Sequence, residues 1–363
     1  MYADTSIKNV AYSIFIILSL GYVSYIGSTI ILPLLFASIF SIFLYPINRR
    51  ISRFIKSDII SIAISFLIVI LPISIIGSLF IFQLLYIIDE LPSISQSLKD
   101  GSAQAILWFQ SFIPGLDLDS KNILKDMIGT SIDGPLKVVG KSVITSTSMI
   151  LSTFLTFIYA FFILYYRRSI KNFIIYQFEK RFRSDIQATF IKIKLVVQSY
   201  IGGLFIVIAV LSVVNSLGLW IIGVDYPMFW GTLAGFLAVI PYIGTGLGGL
   251  LPFLYSLATC DTAWQPVAIV IFYGFVQTIE GNVLTPKIVG DKVNINPLVA
   301  ILSLVIFGSL WGVGGVVLAL PLISITRIIL LQFESTKSIA VLMSSDIVDR
   351  ADKFKKIAMV KAD

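Results

Sequence analysis

The chain predicts an all-α polytopic membrane protein with about six spanning helices plus two re-entrant helical hairpins; eight spanning helices is the alternative. Three observations carry this prediction. Hydrophobic residues make up 57% of the 363 residues, charged residues 13%, and the mean hydropathy is +0.95, whereas an ordinary globular domain is about a quarter charged. Several stretches reach the roughly 18 apolar residues that a spanning helix needs. Two further apolar segments, Pro227–Pro252 and Pro297–Pro321, are interrupted in the middle by glycine-rich sequence. The alternating strands of an outer-membrane barrel are absent.

Val10–Gly27 and Ile30–Pro46 are the first two apolar stretches. The minimal Gly27-Ser28 connection between them reads as the turn of a helical hairpin. The first stretch lacks an Ala-x-Ala cleavage site and is expected to stay as a span. Arg49, Arg50, Arg53 and Lys56 follow, and basic loops face the cytoplasm. Ile59–Ile88 is the third span, with Pro72 and Gly77 as expected kinks. Together these make 1–88 an N-terminal transmembrane scaffold.

Residues 89–145 are polar and periodic, with seven acids against five bases. Pro114-Gly115 and Gly134-Pro135 divide them into short amphipathic helices on the outer side. Ser146–Tyr166 is the fourth span. Eight bases between Arg167 and Lys194 then face only Glu179 and Asp185. Ile170, Phe173, Ile174 and Phe178 recur there at helical spacing, so 146–199 holds the span plus a basic amphipathic helix at the cytoplasmic interface. The +7 net charge is therefore membrane topology and not a nucleic-acid surface.

Tyr200–Val224 is the fifth span, and the broken segments lie in a module over 200–333. The first carries Pro241-Tyr242-Ile243-Gly244-Thr245-Gly246-Leu247-Gly248-Gly249, and the second Gly308-Ser309-Leu310-Trp311-Gly312-Val313-Gly314-Gly315. The arms Met228–Ile240 and Leu247–Ala258 hold only thirteen and twelve residues. Each is thus about 20 Å long against a hydrocarbon core of about 30 Å. Either the whole segment crosses as a discontinuous helix, or it enters and leaves on one side. Re-entry keeps Asp261 outside and lets Trp264–Leu284 carry Lys287 and Lys292 to the cytoplasm, which the positive-inside rule favours. Span five plus hairpin one then matches the Trp264 span plus hairpin two in opposite orientation, an inverted repeat. Residues 334–363 read as a cytoplasmic tail, and both termini as cytoplasmic.

Broken segments expose backbone polar groups at bilayer depth, which is tolerated where they are buried in protein or line a wet cavity. Paired breaks point to a transporter's substrate site. The candidate binding residues are Pro241, Tyr242 and Gly244 at the first break, Asn215 in span five, and Gln277, Glu280, Asn282, Thr285 and Pro286 in the motif Gln277–Lys287. Gly246, Gly248, Gly249, Gly312, Gly314 and Gly315 are candidate hinges. Glu280 is the one acid within a span; burial would favour its protonated form, so it suits cycling a proton or binding a cation. The structural alternative is a Glu that bonds backbone amides freed by the break. Gln277 and Asn282 serve equally as interhelical glue. Asn294, Asn296 and Pro297 are expected to cap the second hairpin. Gly202 and Gly203 read as small-residue packing.

The chain has no histidine and one cysteine, Cys260, which excludes imidazole chemistry and an intrachain disulfide. No phosphate loop or catalytic triad is present, so neither ATP-driven transport, an enzyme nor a cofactor is expected. A passive channel and a non-transporting scaffold are the alternatives to a carrier.

Val239–Pro252, Gln277–Ala300 and Phe307–Leu322 resemble the signature blocks of the autoinducer-2 exporter (AI-2E) family. The resemblance implies secondary export of small molecules such as a quorum-signal furanone, with sodium/proton antiport in some relatives. It further implies pentameric homo-oligomers and elevator-type movement of the C-terminal module; the expected partners are the lipid bilayer, a small-molecule substrate and H+ or Na+, with no nucleic acid. The family often has an Arg-Gly-Gln-like run after the tyrosine that opens span five; here Ile201-Gly202-Gly203 stands there.

Overall fold

The computed structural model describes residues 12, 15–16, 18–112, 147–240, 244–260, 264–284 and 294–345, and side chains within these outside 88–112, 147–150, 245, 258 and 283. Every regular element among them is helical: α1 Ser28–Ile51, α2 Asp58–Phe112, α3 Thr147–Tyr165, α4 Arg167–Tyr176, α5 Arg183–Ile222, α6 Pro227–Leu237, α7 Gly244–Thr259, α8 Trp264–Ile279, α9 Pro297–Leu330 and α10 Lys337–Leu342. Four stretches, Ser28–Ile51, Asp58–Ile87, Lys180–Ile222 and Pro297–Leu330, are long and apolar enough to cross a membrane. Large apolar side chains stand exposed along them, among them Ile68, Ile81, Val213 and Ile306. In water such surfaces would aggregate; in hydrocarbon they are solvated. The chain is a multi-pass membrane protein.

Two compact units divide it: Met1–Leu67 with Ser148–Gly202 and Val289–Asp363, and Ile68–Thr147 with Gly203–Ile288. In the first, Ile39, Val197 and Leu318 form a core joined by Leu32, Phe36 and Ile325. Phe40, Phe66 and Phe157 meet edge to face at 5.7 to 6.2 Å. The buried Asn48 amide donates to Ser61 Oγ at 3.1 Å, tying α1 to α2. Arg167 pairs with Asp58 at 3.4 Å, and its guanidinium also reaches the Leu164 carbonyl at 2.7 Å.

The second unit is built on close approach. α5 ends with the Val224 amide bonded to the Leu219 carbonyl, six residues back to one, around Gly223 at φ +82°, a glycine helix stop. Pro227 then opens α6. Ser212 and Ser216 on α5 face Gly235 and Gly231 on α6, so that a methyl on either glycine would strike the serine opposite. Small residues four apart on both helices let the backbones touch. Phe229, Trp230, Leu219, Tyr255 and Ile269 pack over this crossing, and Phe80 stacks on Phe229 at 4.8 Å.

Both broken segments fold back on themselves. In a straight helix Phe307 and Gly315 would lie about 12 Å apart, and Ala234 and Gly248 about 21 Å apart. Instead, a methyl on Gly315 would collide with the Phe307 carbonyl, and one on Gly248 would lie 2.8 Å from the Ala234 methyl. Gly244 closes equally tightly on the Leu237 carbonyl. The reversal inside α9 falls at Trp311 and Gly312, the latter at φ 60°, ψ −143°, a conformation open to glycine and strained for other residues. Trp311 donates its indole N–H to the Ser24 carbonyl at 2.9 Å, while Gly314 rests on Leu32 and Phe36. As expected, Asn296 caps this hairpin by accepting from the Val299 amide at 2.9 Å, with Pro297 in the first turn. Asn294 Oδ1 meanwhile accepts from Ser344 and Ser345.

Three connections differ from expectation. Gly27 is a bend and not a reversal: its amide bonds Val23 and its carbonyl accepts from Ile31, with φ −81° and ψ 12°. One residue off helical ψ by about 50° tilts a helix without turning it around. α2 continues as helix past Asp89 to Phe112; Pro114-Gly115 and Gly134-Pro135 lie outside the described residues. The basic amphipathic region is not one interfacial helix. α4 stops at Tyr176, and α5 carries its basic second half straight into span five over 40 residues.

The crossing of α5 on α6 should be sensitive to one methyl group. Gly231→Val is expected to lower the melting temperature in detergent, at an overpacking cost of about 1–3 kcal/mol or more. Gly202→Ala, which faces open space in a helix interior, should melt at or above wild type. Equal melting of the two variants would refute the close-packed crossing. In a Cys260→Ser background, single cysteines at Asp261 and Lys287 test the hairpins against the bilayer. Re-entry predicts that an impermeant maleimide labels position 261 and not 287 in intact cells, whereas a crossing segment reverses the pattern.

Candidate functional site

The described binding candidates Asn215, Gly244, Gln277, Glu280 and Asn282 all lie in the second unit, which holds α6, α7, α8 and α5 from Gly203 onward. α8 is apolar until Val276 and then keeps its helical sense but changes pitch, because Glu280–Leu284 forms a π turn. Such widened turns free a carbonyl and recur at functional sites. With it α8 covers 21 residues, about 30 Å, enough to span. Glu280 is half-buried at the first position of the widened turn. Asn282 is exposed and donates to the Thr278 carbonyl at 2.9 Å, while Thr278 donates to Gly274 at 2.8 Å. Asn282 is thus tied to its own helix here, and Gln277 is exposed beside it.

Glycine contacts set the register of the neighbours. Gly249 of α7 lies on the Tyr273 ring of α8, and Gly218 of α5 lies under Phe272. Counting along these antiparallel helices puts Gly244, the start of α7, level with Thr278. Asn215 falls level with Phe275, about 8 Å along the axis from Glu280. The mouth of the first hairpin, Asn215 and the Glu280 turn therefore occupy one stratum. Pro241, Tyr242, Thr285 and Pro286 lie outside the described residues.

This unit also holds an excess of unsatisfied polarity. Asn215 Oδ1, Trp230 Nε1, Ser256 Oγ and Tyr273 OH are buried with no hydrogen-bond partner among the described residues. Each such group costs about 1–3 kcal/mol in stability, and a native fold keeps few of them. Asn215 was expected from the sequence. Trp230, Ser256 and Tyr273 were missed because each sits in an otherwise apolar run; the readable signal was a hydroxyl or indole on the glycine-contact face.

The hinge candidates divide by surroundings. Gly244, Gly248 and Gly249 are close-packed, whereas Gly246 faces open space. In the other unit Gly314 and Gly315 are packed and Gly312 alone has the special backbone angles.

Comparison with known proteins follows this architecture. PerM of Escherichia coli K12 is 26% identical over 255 residues, covering 68% of this chain and 70% of PerM. YrrI of Bacillus subtilis is 33% identical over 134 residues, 37% of each chain, and the AI-2 transport protein TqsA of E. coli is 32% identical over 138 residues, 37% of this chain and 40% of TqsA. The chain thus spans well under half the length of YrrI and TqsA. The sequence model described as AI-2E family transporter matches residues 14–335, nearly the whole chain, and the protein belongs to that family of membrane transporters.

Proposed function

We propose that the chain is a secondary exporter of small polar molecules, an autoinducer-2-like signal or a related solute, across the cytoplasmic membrane, with the C-terminus inside; the inside placement of the N-terminus required a reversal at Gly27 that the helix does not make. The observation that carries this reading is the stratum shared by the first hairpin, Asn215 and the Glu280 turn. The unused Asn215 Oδ1 in that stratum, with the Tyr273 hydroxyl two residues along α8 from the same level, offers hydrogen bonds that the fold does not use, which is what a polar solute needs at membrane depth. TqsA, a relative by sequence, bears the name AI-2 transport protein. Glu280 takes the coupling role, binding H+ or Na+ in one state and releasing it in the other. The glycine-closed hairpins provide gates that move as preformed pieces in an elevator-type cycle, within a homo-oligomer.

Two variants test the site. Glu280→Gln, a permanently uncharged stand-in, should abolish the pH dependence of autoinducer-2 flux in proteoliposomes while leaving the protein monodisperse. A flux that still follows the proton gradient would remove Glu280 from coupling. Asn215→Leu removes a buried unpaired acceptor, so its melting temperature should equal or exceed wild type. Flux should nonetheless fall at least about tenfold, the worth of one lost hydrogen bond of about 1.4 kcal/mol. Unchanged flux would make Asn215 a packing residue.

A further inference from the structure

A cavity of about 670 Å³ opens among α1, α3, α4 and the first turns of α5, entirely within the first unit. Arg49, Arg167, Arg168, Lys171 and Lys194 line it, and no carboxylate is among its lining residues. Asp58 reaches only Arg167, at 3.4 Å, and Lys194 lies 4.3 Å over the Tyr45 ring. The remaining wall is largely aliphatic, with Ile42, Ile163, Leu164 and Ile193, and Ser38 and Ser41 stand farthest along α1 from Arg49. At the end of α3, Tyr165 and Tyr166 are 40% and 50% exposed, as aromatic residues are where a span meets the headgroups.

We propose that this cavity is a binding site for one anionic phospholipid, its phosphate held by Arg49, Arg168 and Lys171 and its acyl chain laid against the aliphatic wall. Charge and shape both select this occupant. Five lining cations, of which only Arg167 has a carboxylate at 3.4 Å among the described residues, call for an anion. The volume lies within the roughly 300–1,000 Å³ of ligand pockets and leaves most of its wall unused by a bare phosphate. Basic pockets between spanning helices on the cytoplasmic side suit anionic headgroups. The lipid would brace α4 against α1 and α5 at the membrane surface.

Native mass spectrometry of the full chain in mild detergent, titrated with phosphatidylglycerol, phosphatidylcholine or inorganic phosphate, tests this. One phosphatidylglycerol per chain should persist under conditions that strip phosphatidylcholine. Arg168→Gln with Lys171→Gln, both exposed positions, should weaken it roughly thirtyfold. Arg53→Gln, an exposed base that does not line the cavity, should leave it unchanged. Ile163→Trp fills the aliphatic wall and keeps every charge, and should also expel the lipid. The proposal fails if both lipids bind alike, or if Arg53→Gln weakens binding as much as the double variant. It also fails if millimolar phosphate displaces the lipid fully, or if Ile163→Trp binds as wild type. If one variant does not fold, the other decides.

Discussion

A backbone that turns inside hydrocarbon has no water to satisfy its amides and carbonyls, so the turn must be made against other protein at the shortest possible range. The rest of this structure follows from that constraint. Both hairpins close where a glycine Cα lies against a carbonyl, Gly244 on Leu237 and Gly315 on Phe307. Side chains at these points would hold the arms apart and expose the ladder. The same economy of distance sets α5 on α6 through Ser212, Ser216, Gly231 and Gly235. It also recruits side chains as surrogate water: Asn296 caps α9, Trp311 reaches the Ser24 carbonyl, and Gln198 reaches the Ile42 carbonyl at 2.8 Å.

Much of the fold was legible because bilayer thickness converts apolar length into topology. Thirteen- and twelve-residue arms are too short to cross, and the chain does fold back at both breaks. Legibility failed where the membrane boundary and the helix boundary part company. Charge ends a span but not a helix, since Lys, Arg and Glu are good helix formers. α5 therefore runs through its lysines into the apolar span without pause, and α2 runs on past Asp89 and Glu90. At Gly27 a glycine that sequence reads as a turn only bends the ladder, because its amide and carbonyl both keep helical partners.

The site was legible in its chemistry and less so in its geometry. A lone membrane-depth acid singled out Glu280, but nothing in the sequence announces that the helix widens there into a π turn. The polar motif around it also divides on inspection. Asn282 bonds its own helix, so its amide does local work, whereas Asn215, buried on a neighbouring helix, keeps an acceptor unused. Intolerance of bulk at Gly244 or Gly314 reports packing first, since both glycines already touch neighbours.

The four orphaned groups of the second unit have a consequence for finding the substrate. Under the proposed function, a cargo that supplies the missing partner of Asn215 or Tyr273 removes a penalty already present in the empty protein, and it binds the folded state alone. Its concentration then stabilises the fold by mass action, by about 2.7 kcal/mol at a hundredfold excess over its dissociation constant, and the melting point rises accordingly. Thermal shift thus becomes an assay for cargo: libraries of small polyols, furanones and amines can be ranked by heat alone, before any vesicle is sealed or any gradient imposed.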